Sequence, residues 1–266
     1  MSWLSKMRKY WAVAQVAARS KLAYWQEMGA RGLFFGVILF IFSQLWGSLL
    51  GNGGTLAGFT RQQLVWYLTI TEVVTLSSTS LLSQVEQDVK TGQIAYLLLR
   101  PASYLLYQAG YYAGEMLVVT GCNLLVGALL ALLLVGPLPL SAGNILGALV
   151  MLVLGGALRF LLLLAIALLS FFVEECRPFY WIYSKLIFTA GGLFIPLDLY
   201  PRFLQALAKA LPFQSVAYAP ARMFVGGGVV ELLPLAATSA VWTIALALLV
   251  RWQYGKGVQR VNVHGG

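Results

Sequence analysis

Six stretches of this chain are each apolar enough and long enough to cross a bilayer, and nearly all of its charge lies between them. A hydrocarbon core of ~30 Å takes ~20 apolar residues in a helix. The stretches fall at residues 29–50, 64–85, 106–135, 144–173, 179–197 and 232–251. With 60% hydrophobic and 10% charged residues, a chain of 266 residues carries more apolar surface than a soluble domain can enclose. The expected fold is an all-α integral membrane protein, one transmembrane domain over 1–266 with six membrane helices.

Orientation follows from where the cations fall. If the N-terminus is cytoplasmic, the inner segments hold Lys6, Arg8, Lys9, Arg19, Lys21, Arg31, Lys90, Arg100, Arg177, Arg251, Lys256 and Arg260. The outer segments hold Arg61, Arg202, Lys209 and Arg222, and Arg159 and Lys185 fall within spans. Twelve inside against four outside places both termini in the cytoplasm of a multi-pass protein. The net charge of +9 is then a mark of topology and membrane-lipid contact, with no nucleic acid implied. Trp25, Trp46, Trp66, Trp181, Trp252 and Tyr254 cluster near span ends, where amphipathic rings anchor.

The connecting pieces carry pattern. Residues 5–27 place Met7, Trp11, Ala14, Ala18, Leu22 and Trp25 at spacings of three and four with basic residues on other faces, as in an interfacial amphipathic helix. Residues 86–104 form a cytoplasmic loop. After Gly92, Ile94, Leu97 and Leu98 make a short apolar ridge, and Pro101 stops the helix at about Arg100. Such a ridge either enters a partner's groove or folds back on the membrane surface. Residues 192–228, on the outside, contain Pro196, Pro201, Pro212 and Pro220, which no spanning helix accommodates, around an amphipathic run of about ten residues. They read as re-entrant or interfacial helices. The tail, 252–266, is short, polar and expected to be flexible.

Catalytic chemistry has little to assemble from. The one histidine, His264, lies third from the end, and Cys122 and Cys176 show no metal-ligand spacing. Gly255-Lys256-Gly257 lacks the frame of a P-loop. Glu72, Glu115, Arg159 and Lys185 fall within spans, where ionisable groups are costly, ~2.5–3.5 kcal/mol at a helix centre. Two acids and two bases point to pairing, for example Glu115 with Arg159 or Lys185, with a substrate or proton pathway as the other reading. Gly32/Gly36 and Gly110/Gly114 have the spacing that lets helices approach closely.

Two segments carry a resemblance. Thr91-Gly92 through Arg100-Pro101 (TGQIAYLLLRP) is similar to the "TG…LLLRP" signature of bacterial type 2 ABC exporter permeases, in the six-span viologen/antibiotic exporter branch. Gly191-Gly192, Ile195-Pro196-Leu197, Tyr200-Pro201, Leu211-Pro212-Phe213 and Tyr218-Ala219-Pro220 resemble that family's outer run, with Ala190 where Ser is usual. The resemblance implies a non-enzymatic permease of a multidrug-type efflux system in the bacterial inner membrane. It also implies a second permease, identical or a sister chain, and two copies of a separate ATPase that holds ATP and magnesium. Residues 5–27 would be an elbow helix. Thr91, Gly92, Ile94, Leu97, Leu98, Arg100 and Pro101 would form the coupling helix in the ATPase groove. Pro196, Pro201, Pro212, Phe213 and Pro220 would shape an outer gate. No metal and no cofactor are expected in this chain, and the cargo is expected to be amphipathic or hydrophobic. The alternative is a self-sufficient proton-coupled transporter using Glu72 or Glu115; the absence of inverted repeats weighs against it.

Overall fold

A computed structural model describes residues 3–51, 53–99 and 102–264. Helices α1 (Trp3–Ala23) and α2 (Trp25–Leu50) lead into a two-stranded hairpin, β1 (Thr55–Leu56) and β2 (Phe59–Thr60). Then come α3 (Arg61–Leu76), α4 (Leu81–Lys90), α5 (Gln93–Leu98), α6 (Tyr104–Val135) and α7 (Ala142–Ala167), which tightens into a 3-10 turn at Leu168–Phe171. The second half contains α8 (Arg177–Thr189), α9 (Arg202–Ala210), α10 (Phe213–Val216), α11 (Tyr218–Val225) and α12 (Val229–His264).

Among the described residues four helical stretches are long and apolar enough to cross a membrane: Gly32–Leu50, Tyr104–Val135, Ala142–Phe171 and Val230–Arg260. Only 17% of the last is buried inside the protein, so its apolar side chains face a surrounding that must itself be apolar. The chain is an all-helical membrane protein apart from the small hairpin.

The stretches expected as spans at 64–85 and 179–197 are not continuous helices. α3 is the central helix, with every residue from Leu64 to Val74 buried, and it ends at Leu76 inside a hydroxyl-rich run. There the Thr75 hydroxyl donates to the Thr71 carbonyl at 2.9 Å and Ser77 to Val73 at 2.6 Å, local bonds that compete with the helical ladder. α8 has 13 residues, about 20 Å, and stops before Gly192, whose φ of +66° a side chain would resist. The hydroxyls of Tyr67 and Thr71 on α3 donate to the Gly192 and Leu193 carbonyls of the turn after α8.

At its start, α3 is fixed by the tight hairpin turn at Ala57-Gly58 and by a capping box between Thr60 and Gln63. Gln62 donates to the Val135 and Pro137 carbonyls and Trp66 to Gly136, so the start of α3 meets the end of α6. Asn144 near the start of α7 reaches Met223 and Gly227. One end of the molecule therefore gathers the hairpin, the start of α7, α11 and the start of α12. The other gathers α4, α5, the start of α6 and the ends of α7 and α12, with Tyr104 stacked on Tyr254 at 6.1 Å.

α1 runs alongside the start of α6 in the same direction. Gly110 faces the Tyr10 carbonyl, where a Cβ would come within 2.8 Å, and Gly114 lies still closer to that of Ala14. The Gly110/Gly114 pair thus seats α1, while Gly32 and Gly36 of α2 face Val126 and Leu130 of the same helix more loosely. Met7, Trp11 and Leu22, the bulky stripe of α1, stay uncovered by protein. The tail is helical rather than flexible as far as His264, because Gly257 packs on Phe171 and Arg260 lies over the Phe172 ring at 4.7 Å.

Candidate functional site

The end that holds α4 and α5 has the sharper local design. α4 is amphipathic: Leu81 and Val85 are buried, and Glu86 pairs with Lys90 at 2.7 Å across one turn. The hydrogen bond from Lys90 holds the Glu86 carboxyl below its ordinary range. Asp88 accepts from the Tyr104 hydroxyl at 2.7 Å, which ties α4 to α6; burial nonetheless raises its carboxyl. α4 closes on Thr91, whose N–H and hydroxyl both donate to the Gln87 carbonyl. Gly92 then turns the chain with φ +71°, a left-handed conformation that glycine adopts at no steric cost, and α5 follows.

The apolar ridge of α5 points inward. Ile94 is fully buried, and Leu97 and Leu98 are half-buried against the cluster that includes Leu81, Val85 and Leu168. This corrects the expectation of a ridge open to a partner's groove: six residues cannot stay folded alone, and these three hold the helix to the body. The free face is instead Tyr96, 75% exposed, with Leu99 beside it at 83%. The expected coupling residues Thr91 and Gly92 are exposed at its start, and Arg100 and Pro101 lie outside the described residues.

The four charges within spans do not pair with one another. Glu115 accepts from the backbone N–H and hydroxyl of Ser80, at 2.8 and 2.9 Å, and faces Lys21 of α1 at 3.9 Å. It therefore caps α4, whose own N-cap side chain makes no capping bond. α6 has 32 residues, about 48 Å, against a core of about 30 Å; its polar, aromatic first third can protrude, with Glu115 near the boundary. Arg159, 7% exposed, donates to the carbonyls of Val74 and, at 3.4 Å, Thr75. With Ser77 on Val73 and the Ser78 N–H on Leu76, the four carbonyls left over at the end of α3 all find donors. Lys185 is exposed on α8, over the Trp181 ring at 5.2 Å. Glu72 is buried on α3 and forms no ion pair among the described residues.

At the opposite end the proline-rich segment folds as a hairpin. Pro201 and Pro212 stand at the N-caps of α9 and α10, Pro196 at that of a short 3-10 turn, and Pro220 within the first turn of α11. α10 and α11 lie along α7, with Ser215 against Gly155 and Met223 against Gly147. Gly155 is 13 residues into α7, about 20 Å from its start, so the turn at Pro212-Phe213 sits deep in the bundle, where Phe213 meets Tyr183 of α8 at 6.4 Å. Trp242, equally far along α12, donates to the Ala210 carbonyl at the same depth.

Between this hairpin and α12 lies a charged network that the sequence did not announce. Asp198 accepts from Lys209 at 3.2 Å and from the Tyr218 hydroxyl at 2.9 Å, with Arg222 at 3.6 Å, and Arg222 reaches on to Glu231 at 2.8 Å. Lys209, counted among the outer cations, is thus turned to Asp198. Only the excess of charge in an otherwise apolar segment could have signalled this.

Among the described residues no group of His, Cys, Asp and Glu could hold a metal ion. No curated protein matches the chain. Over residues 34–265 it matches the ABC-2 family transporter proteins, and it belongs to that family.

Proposed function

We propose that the chain is the permease subunit of an ATP-driven exporter that moves an amphipathic or hydrophobic substrate outward across a bacterial inner membrane. ATP, with magnesium, is hydrolysed in a separate ATPase, two copies of which serve two permeases, identical or sister chains. The α4–α5 end is cytoplasmic in this reading, as are both termini, in keeping with the cation asymmetry. Passages two and five are completed by broken segments: α3 with α4, and α8 with the turns and the hairpin that follow it. The hairpin α9–α11 closes the outer end of the path.

One observation carries this reading. The residues with the family-like signature form a short helix clamped to the body by Ile94, Leu97 and Leu98, with Tyr96 and Leu99 presented outward. A clamped helix with a free apolar face transmits a push, which a loose loop cannot. The second acid considered for proton coupling, Glu115, is already engaged by Lys21 and Ser80.

Transport of a fluorescent amphipathic dye into inside-out vesicles tests the energy source. With a P-loop ATPase that co-purifies with the permease co-expressed, uptake is expected to need ATP and to vanish when the ATPase is catalytically dead. Uptake driven by a proton gradient without that ATPase would overturn the reading in favour of secondary transport.

A further inference from the structure

The break between α3 and α4 opens a chamber of about 190 Å³ against α7 and α8. Arg159, Thr79, Ser83 and Tyr180 line its polar side, and Leu82 and Leu163 the other; no lining residue is acidic. Arg159 is a buried cation without a carboxylate partner among the described residues. Its compensation is the C-terminal end of α3, where a helix dipole supplies roughly half a unit of negative charge, so the chamber keeps a positive balance. The two carbonyls it holds, together with the Tyr183 hydroxyl, do not exhaust the five N–H donors of a guanidinium. The Thr79 hydroxyl beside the chamber is buried with no partner among the described residues, a costly state for a polar group.

We propose that this chamber binds an oxyanion group, a carboxylate, sulfate or phosphate. Arg159 supplies charge-assisted donors and Thr79 a hydroxyl, whereas the Ser83 hydroxyl already donates to the Ser80 carbonyl at 2.9 Å. The volume suits such a group and its hydration, since a water takes about 30 Å³. Arg159 lies 17 residues along α7 from its start, about 25 Å, so the chamber is at the level of the leaflet on the α4–α5 side. The oxyanion could come from two sources, the acidic head of an amphiphile carried by the exporter or a free inorganic anion. As a cargo site the chamber rests on the exporter reading. Binding to the isolated permease needs no ATPase, so failure to bind overturns the chamber and leaves the docking reading standing.

The test is thermal unfolding and calorimetry of the purified permease in a neutral maltoside detergent, titrated separately with dodecyl phosphate and with inorganic phosphate. Dodecyl phosphate is expected to raise the melting temperature, whereas added dodecyl maltoside does not. Thr79→Val should leave the unliganded protein as stable or more so, and raise the Kd about three- to tenfold, the loss of one hydrogen bond. Leu82→Trp, which fills the chamber, should abolish the effect. A response to dodecyl phosphate alone identifies an amphiphile head as the ligand, and an equal response to inorganic phosphate identifies a free anion. No response in the wild type, or an undiminished one in both Thr79→Val and Leu82→Trp, overturns the proposal.

Discussion

At Glu115 and Arg159 the sequence shows which residues are unusual but not what they touch. Two acids and two bases in spans invite pairing, yet Glu115 binds Ser80 and Lys21 while Arg159 caps α3 through backbone carbonyls. Neither arrangement is legible in the chain, because both depend on a helix break whose backbone groups have no sequence signature of their own. The hydroxyl-rich run 75–80 was the available clue, since such side chains offer the backbone an alternative to the ladder. A consequence separates the two accounts. Arg159→Leu leaves two buried carbonyls without donors and is expected to cost about 2–5 kcal/mol. Adding Glu115→Leu should lower stability further, because it removes the cap of α4. Denaturation of the single and double variants checks this; recovery of stability in the double variant would revive a direct ion pair.

At the scale of elements, hydropathy found the long helices and proline found the broken segment. What it missed is which helix faces which. α1 was legible as amphipathic, and its bulky stripe is indeed uncovered, but its other face is set by the glycines of α6. Gly114→Leu would drive a side chain into the Ala14 carbonyl and is expected to cost about 1–3 kcal/mol and expose α1 to protease. Gly121→Ala, on the same helix with nothing near its missing Cβ, should be neutral. Limited proteolysis with melting curves compares them. Likewise α5 was found by its apolar ridge, but which side of a six-residue helix faces home is decided by Leu81, Val85 and Leu168, residues far apart in the chain.

For the whole molecule, the two ends follow from pairs that no local pattern records: Gln62 with Val135 and Pro137, Asn144 with Met223, Tyr104 with Tyr254. The charged network around Asp198 was the least legible of these features, because its members come from separate elements. In the proposed reading the hairpin α9–α11 closes one end of the path and the clamped helix α5 meets the ATPase at the other, with the buried helix α3 between them. The most direct measurement is ATP hydrolysis by the partner ATPase with the permease in lipid nanodiscs. Tyr96→Asp with Leu99→Asp places charge on the free face and should abolish co-elution and permease-stimulated hydrolysis without changing the permease's melting temperature. Leu97→Asp, on the clamped face, should lower that temperature instead. Full stimulation by the Tyr96→Asp, Leu99→Asp variant, at normal stability, would contradict an ATPase driven through α5.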